Sequence, residues 1–550
     1  MKIVSELLSE NGYAGILHPE GVYDDPKGEK LRVEMYKRLE YHFQFQNAFN
    51  LFQEVAHREK YSANIYTSKK EKVHFFNINN LFHPNTIDGC FIHDGKGDCG
   101  GIKIKDKISN KFKWNVIPHK SRIIEYGDNS LKVLSETLGE EGDDWKGVKL
   151  ISLHTQELLS VIEKFGFFDG RVKDTETYMT ECWDETNDSN KGNIRRETKT
   201  PEMNNLEMIY SGPHLFVANS MYKTPREICT EKGHYDIIDL VTIDEDYLAR
   251  TNYVPNIPLE DYQNRFQVIP FNKKETNWLE YYKIAFRKML SQAGERTLTG
   301  AIIPPNTCHI HGLISVTFQD IFRLLEFSSL SSSIILDFIM KSIGSSNLAI
   351  IRLNSLPLGV KEKYRDHLIS RILMLSCLTK SYKNLWEKTW SKKFNSHNWS
   401  IEDHRLTEIM NRDSVWNLKT PLRNYFERRQ ALVEIDVITS MSLGLNINEL
   451  ISIYTSQFPV LQQNEDDTWY DQKGNIVFTC SKGLNGVGLD RPVWETIKDM
   501  KEGESYEHTI DKSELYYQEK VTYYAPFEKC DRVEDYKVAW AHFEKIFNQN

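Results

Sequence analysis

The chain has 550 residues, a net charge of −9, a hydrophobic fraction of 40% and an aromatic fraction of 12%. At about 100 to 200 residues per domain this length implies three or four units, and the apolar content excludes a disordered chain. The acidic balance argues against nonspecific nucleic-acid binding by the whole chain, so any phosphate contact has to come from local clusters of Lys and Arg.

The first twelve residues, MKIVSELLSENG, have helical spacing and two acidic residues, unlike the basic leader of a signal peptide. No apolar run reaches the roughly 18 residues of a membrane span; the nearest, at 332–340, is broken by Asp337. The expectation is a cytoplasmic protein without a membrane partner. Eight cysteines are scattered without a Cys-x-x-Cys pair, which predicts reduced, mostly buried thiols.

In chain order, the spacing predicts a helix over 1–11, a strand over 13–17, a loop over 19–28, a helix over 29–39, and strands over 41–45 and 62–66. This alternation is that of half a doubly wound sheet. His93-Asp-Gly-Lys-Gly-Asp-Cys-Gly-Gly101 reads as a turn cluster followed by a strand over 102–107. The polar run 175–200 reads as an exposed insertion or linker. Residues 205–360 mix short strands with helices, including one over 278–293. Residues 362–450 read as mostly helical. Beyond 465 come short strands, a hairpin turn at Asp471-Gln-Lys-Gly474 and a last helix over 532–547.

Chemical motifs are sparse. There is no phosphate-binding Gly-x-x-x-x-Gly-Lys-Ser/Thr loop and no His-Glu-x-x-His. The glycines at 95–101 lack the strand-before, helix-after context of a cofactor loop. Cys308-His-Ile-His311 lacks a third and fourth metal ligand at recognisable spacing, so no metal is expected. Ile303-Pro-Pro-Asn306 lacks the leading polar and trailing aromatic residues of the loop by which amino-methyltransferases hold a target amine, and reads as a turn. Residues 361–430 carry 15 Lys and Arg against 8 Asp and Glu, a net of +7, with Trp386, Trp390, Trp399 and Trp416 interleaved. Packed core and DNA contact are both open readings of that segment.

Several stretches resemble one family. Asn11-Gly-Tyr-Ala-Gly-Ile-Leu-His-Pro-Glu-Gly-Val-Tyr-Asp-Asp-Pro-Lys-Gly28 with Leu31-Arg32 is similar to the part of large adenine-N6 DNA methyltransferases that follows their catalytic loop. These are the single-chain enzymes of type IIG restriction and DISARM phage-defence systems. The resemblance continues at Tyr61-Ser-Ala-Asn-Ile-Tyr66 and Asn80-Leu-Phe-His-Pro84. It is strongest at Ser211-Gly-Pro-His-Leu-Phe-Val-Ala-Asn219, Tyr222-Lys-Thr-Pro225, His234-Tyr-Asp-Ile-Ile-Asp239 and Arg250-Thr-Asn-Tyr-Val-Pro255. Further matches are Glu295-Arg-Thr-Leu298 with Ala301-Ile-Ile-Pro-Pro305, Ser332-Ser-Ile-Ile-Leu-Asp-Phe-Ile339, Leu353-Asn-Ser-Leu-Pro-Leu358, Tyr454-Thr-Ser-Gln-Phe-Pro-Val-Leu461, and Tyr524-Ala-Pro-Phe527 with Cys530-Asp-Arg532.

The resemblance implies a mixed α/β chain. Residues 1–70 would be the C-terminal part of a Rossmann-like methyltransferase domain, 71–204 a connecting region with a polar insertion, and 205–360 an α+β target-recognition-like domain. Residues 361–450 would form a basic helical segment and 451–550 a small C-terminal α+β region. The family's S-adenosylmethionine loop and catalytic loop precede the matching part. The resemblance therefore implies no catalytic residue and no cofactor bound by this chain alone, with S-adenosylmethionine in an upstream partner half of a split enzyme, or else a truncated remnant.

Double-stranded DNA is the implied partner. The residues inside the matching motifs expected to touch it are Lys223, Arg226, Arg250, Asn252 and Arg296, each of which also has an ordinary reading as an ion pair or turn cap. A protein-interaction subunit of a phage-defence complex is the alternative. A free-standing enzyme is a third reading, for which no nucleophile, base and orienter stand at motif spacing.

Overall fold

The computed structural model describes residues 8–548 apart from 58, 107, 110, 139–143, 203–204, 232, 272–274, 410–411 and 513–516. The helix expected over 1–11 lies for the most part outside the described residues. The chain is mixed α/β, as expected, and divides into two compact units. One comprises Met1–Asp169, Phe338–Gly344 and Leu443–Pro459; the other comprises Gly170–Asp337, Ser345–Ser442 and Val460–Asn550.

The first unit is built on β1 (Ala14–Pro19), β2 (Leu39–Gln46), β3 (Lys60–Tyr66), β4 (His74–Leu81) and β7 (Ile124–Gly127), with a separate hairpin of β5 (Lys103–Lys105) and β6 (Phe112–Trp114). The sheet order is β1-β3-β2-β4-β7. β1 and β2 both run antiparallel to β3, so they are parallel to each other and the helix Glu29–Tyr36 is their crossover. This is the strand–helix–strand alternation legible in the sequence. β3 departs from a purely parallel arrangement because the described residues of 47–59 contain no helix, and a chain without a crossover folds back antiparallel. His42 meets Glu20 at 2.9 Å and Tyr23 donates to Asn64 at 2.6 Å, so these buried polar groups are paired. Among the described residues β1 is an edge, with Leu17 52% exposed and the preceding Tyr13 72% exposed.

The second unit begins with β8 (Thr177–Thr180), β9 (Ile194–Lys199), β10 (Ile209–Tyr210), β11 (Lys223–Pro225), β12 (Tyr235–Ile237) and β13 (Thr251–Pro255). It continues with β14 (Val268–Ile269), β15 (Thr276–Asn277), β16 (Lys283–Arg287), β17 (Gly300–Ile303), β18 (Cys308–His309) and β19 (Leu313–Phe318). The main sheet is antiparallel, ordered β17-β16-β19-β8. All six residues of β19 are buried, because it lies between two strands and helix Ile321–Ser332 packs on it. Helices Glu362–Ser376, Tyr425–Ser442 and Arg532–Asn548 pack in succession, joined in part by the wholly buried Arg371–Glu434 pair at 2.6 Å. The end of the chain adds β20 (Trp469–Tyr470), β21 (Ile476–Phe478), β22 (Ser505–Lys512) and β23 (Tyr517–Tyr524). The Asp471–Gly474 turn forms as expected, closed by Gly474 N–H on the Asp471 carbonyl at 3.1 Å.

Four expectations are corrected. The helix over 278–293 is replaced by β16, where Lys283-Ile-Ala-Phe286 is buried between two strands and tertiary pairing overrides the helical spacing. The polar run 175–200 is no linker, since β8 joins the main sheet and β9 pairs with β13. The thiols are not all free: Cys182 and Cys308 form a disulfide, brought together by the Trp183–Ile310 bridge across 126 residues of sequence. The segment 362–450 is less helical than expected, because 397–424 contains no helix among its described residues.

Candidate nucleic-acid interface

The motifs of the resemblance that lie between 211 and 255 are separate in sequence and meet in space. The antiparallel hairpin β11–β12 places Lys223 opposite Ile237 and Pro225 opposite Tyr235. Beside it β13 pairs with β9, with Tyr253 opposite Arg196 and Val254 opposite Arg195. His214, at the end of the short turn Gly212–His214, joins these parts. Its Nδ1 accepts the Ser211 N–H at 2.9 Å and its Nε2 donates to the Arg250 carbonyl at 2.7 Å. Both bonds require the neutral ring protonated on Nε2, and burial pushes its pKa down to about 4. Tyr235 closes the ring of contacts, its hydroxyl 3.1 Å from Ser211 Oγ and accepting from Asn252 Nδ2 at 2.8 Å.

Four of the five expected DNA-contact residues sit here. Lys223 is half-buried with Nζ 5.0 Å from the Tyr222 ring centre; burial and the nearby Arg287 guanidinium lower its pKa. Arg226 donates to Asp236 at 3.0 Å. Arg250 donates through Nη1 to the Pro225 carbonyl at 3.1 Å, tying β13 to the hairpin. Asn252 is buried: it accepts from Thr198 at 2.8 Å and gives its second contact to the Cys229 sulfur at 3.2 Å. Its amide therefore braces the patch from within.

Arg296 is elsewhere in the unit. Its side chain is buried, with Nε 2.5 Å from Asp337 Oδ2 and Nη2 on the carbonyls of Ser332 and Ser333. Asp337 also accepts the N–H groups of Thr297 and Leu298, so this arginine completes a buried network rather than a surface.

Sequence reasoning missed Arg195 and Arg196. Both are exposed on β9. Arg196 reaches the carbonyls of Cys229 and Thr230 at the hairpin tip, at 3.1 and 3.5 Å; Arg195 contacts the Pro255 carbonyl at 3.3 Å and pairs with Glu197. At the tip Ile228 is 75% exposed. The signal was available in Ile194-Arg-Arg-Glu-Thr-Lys199, a β-branched residue followed by two cations, but the surrounding polar residues masked it. The surface displays cations on a braced backbone. Two of them are paired, Arg195 with Glu197 and Arg226 with Asp236, and both nitrogens of His214 are committed to structure.

The other motifs resolve as packing. Each of the four tryptophans donates its indole N–H to a carbonyl: Trp386 to Asp413, Trp390 to Arg412, Trp399 to Thr407 and Trp416 to Cys377. They brace the irregular segment, with Trp386 and Trp416 buried and Trp390 and Trp399 partly exposed. His309 meets Ser315 at 2.8 Å and His311 meets Glu181 at 3.0 Å, so the two histidines have separate partners. Among the described residues no group of three potential metal ligands converges.

The glycine loop does not fit S-adenosylmethionine. Its N–H groups turn onto its own side chains, Gly95 to His93, Lys96 to Asp94 and Gly100 to Asp98, and β5 follows it where a phosphate- or cofactor-cradling loop opens a helix. Pro304-Pro305-Asn306 is a turn between β17 and β18, with Asn306 at φ 61°.

No described protein family matches the chain, and no curated protein matches its sequence. Among solved structures, similarity is found to the type IIL restriction-modification enzyme MmeI in complex with DNA, at 8% identity and a TM-score of 0.33, over 82% of this chain and 50% of that one. The type IIG restriction endonuclease BpuSI follows at 10% identity and a TM-score of 0.25, over 80% and 48%. The ATP-dependent type ISP restriction-modification enzyme LlaBIII bound to DNA gives 10% identity and a TM-score of 0.22, over 70% and 26%. The chain thus spans about half the length of the first two, and likeness of this degree fixes neither family nor activity.

Proposed function

We propose that this chain is the DNA-recognition part of an adenine-specific DNA methyltransferase of a restriction or phage-defence system. In this reading S-adenosylmethionine and the catalytic loop belong to a methyltransferase half that adds strands to the sheet at β1. The observation that carries the proposal is the convergence at His214: the segments around 211–225, 234–239 and 250–255, which carry the sequence resemblance, build one braced surface. Lys and Arg on that surface fix a duplex by its phosphates, while base edges supply sequence information. Arg195, Arg196, Lys223, Arg226 and Arg250 are the proposed contacts. Asn252 acts beneath them.

The edge of β1 supports the partner assignment, because a strand paired on one side only, with Leu17 and the preceding Tyr13 exposed, is a template for another strand. Two experiments test the proposal. Filter binding of duplex DNA against salt should give affinity that falls steeply as salt rises; a protein-interaction subunit would give none. Co-expression with a neighbouring cofactor-binding methyltransferase half should yield a complex that methylates adenine, and a chain that ignores such a half contradicts the partner assignment.

A further inference from the structure

The first unit carries a second cationic surface that the resemblance does not include. The segment 103–113, which spans the hairpin β5–β6, has Lys103, Lys105, Lys107, Lys111 and Lys113 against one acid, Asp106, in a chain whose net charge is −9. The register sets Lys103 opposite Trp114, Ile104 opposite Lys113 and Lys105 opposite Phe112. One face of the ribbon therefore alternates lysine with aromatic rings, and Lys103 Nζ lies 4.6 Å from the Trp114 ring centre.

The turn is locked. Asp106 accepts both the N–H and the hydroxyl of Ser109 at 2.7 Å and pairs with Lys113 at 2.9 Å; these contacts hold its carboxyl well below the usual range. At the turn Ile108 is 96% exposed. The root is anchored as well. Asn115 donates to the carbonyls of Cys99 and Gly101 at 3.1 and 2.8 Å, Ile102 N–H reaches the Ser456 carbonyl at 3.4 Å, and any side chain at Gly101 would collide with the Thr455 carbonyl.

A stiff, narrow two-stranded ribbon with cations along both strands and one apolar side chain at its end matches a nucleic-acid groove. Lysines reach phosphates on either side, and an apolar tip inserts at a base step and unstacks it. A membrane surface would ask for a broader apolar face. We propose that β5–β6 is a DNA-binding arm, with Lys105, Lys111 and Lys113 on phosphates and Ile108 as a wedge between base pairs. This rests on the DNA reading above and adds a contact made by the first unit itself.

The test uses the full chain and duplexes of about 30 base pairs, selected by the protein from a random pool and carrying 2-aminopurine in place of adenine. Changing Lys105, Lys111 and Lys113 to Gln should lower the slope of log affinity against log salt by about 2 to 3, at roughly 0.9 per phosphate. Ile108→Ser should leave the slope intact, weaken binding about 3- to 10-fold, and abolish the 2-aminopurine fluorescence rise. Hydrogen exchange on the unmodified chain gives an independent reading should a variant fold poorly, with amides of 103–114 gaining protection when the duplex is added. If the chain binds no duplex, the DNA reading fails and the arm with it. If it binds duplex with a steep slope but the triple variant matches it, or the arm's amides stay unprotected, the arm assignment alone is overturned. Ile108-dependent binding to phosphatidylserine vesicles without a response to DNA overturns it too.

Discussion

His214 and Arg250 are joined side chain to backbone, the imidazole Nε2–H on the arginine carbonyl across 2.7 Å. His214→Phe keeps a ring of similar bulk but leaves that buried carbonyl without its donor. We expect a loss of about 1–3 kcal/mol in equilibrium urea unfolding, together with weaker DNA binding, since β13 and the hairpin lose their common brace. A variant of unchanged stability would show that water replaces the imidazole.

Acid should destabilise the fold through histidines. Burial is the first cause that lowers His214 to about 4, His309 to about 4, His367 to about 2 and His397 to about 3; the last two rings stack at 3.8 Å. Each is neutral in the fold, whereas the unfolded chain takes a proton below about pH 6.5. Their contribution is therefore complete above that pH and declines as pH falls toward the folded values, by about 1 kcal/mol per histidine at roughly pH 5.5. Urea unfolding at these two acidities measures it, and equal stability at both would contradict it.

Lys283 acts in the same direction over a more alkaline window. It is fully buried, hydrogen-bonded to the Thr307 carbonyl at 3.1 Å, and burial pushes its pKa down to about 7. Between that value and the ordinary lysine pKa the unfolded chain holds a proton that the fold lacks, so stability rises with pH across this range. Lys283→Met should stabilise by roughly 1–4 kcal/mol at neutral pH, with the gain shrinking toward pH 10. Calorimetric Tm as a function of pH is the readout, and a gain independent of pH would refute the burial argument.

Arg296→Ala should behave as a stability variant. Removing the guanidinium leaves Asp337 buried without its counter-charge, which costs about 3–5 kcal/mol. In the protein that remains folded, the salt dependence of DNA binding should stay as it was. A reduced slope would return Arg296 to the DNA-contact surface.

Leu17→Lys tests the β1 edge. A charge on an exposed strand edge discourages pairing, so capture of the cofactor-binding half should fall sharply while Tm changes little. Full capture by the variant would place the partner elsewhere.

Local pattern made most elements between 14 and 66 and at the end of the chain legible. Period and stop signals located β1, the helix Glu29–Tyr36, β2, β3, the Asp471–Gly474 turn and the final helix within a few residues. The misreadings arise where tertiary pairing decides. Residues 283–287 and 194–199 became strands because β19 and β13 lie beside them, and Cys182 meets Cys308 through a bridge that no spacing announces. Of the candidate surface, Lys223, Arg226, Arg250 and Asn252 were legible from the resemblance. The buried position of Asn252 and the burial of Arg296 depend on neighbours distant in sequence. Arg195 and Arg196 needed the β9–β13 register to appear beside them.

The central claim is that the patch built around His214 grips a DNA duplex through its phosphates. Fluorescence anisotropy of a labelled duplex against potassium chloride, comparing the chain with its Arg195→Ala, Arg226→Ala double variant, tests it most directly. The account predicts a steep fall of log affinity with log salt, and a slope lower by about 2 in the variant, at roughly 0.9 for each phosphate that is no longer neutralised. Binding that ignores salt, or a slope identical in the two proteins, would contradict it.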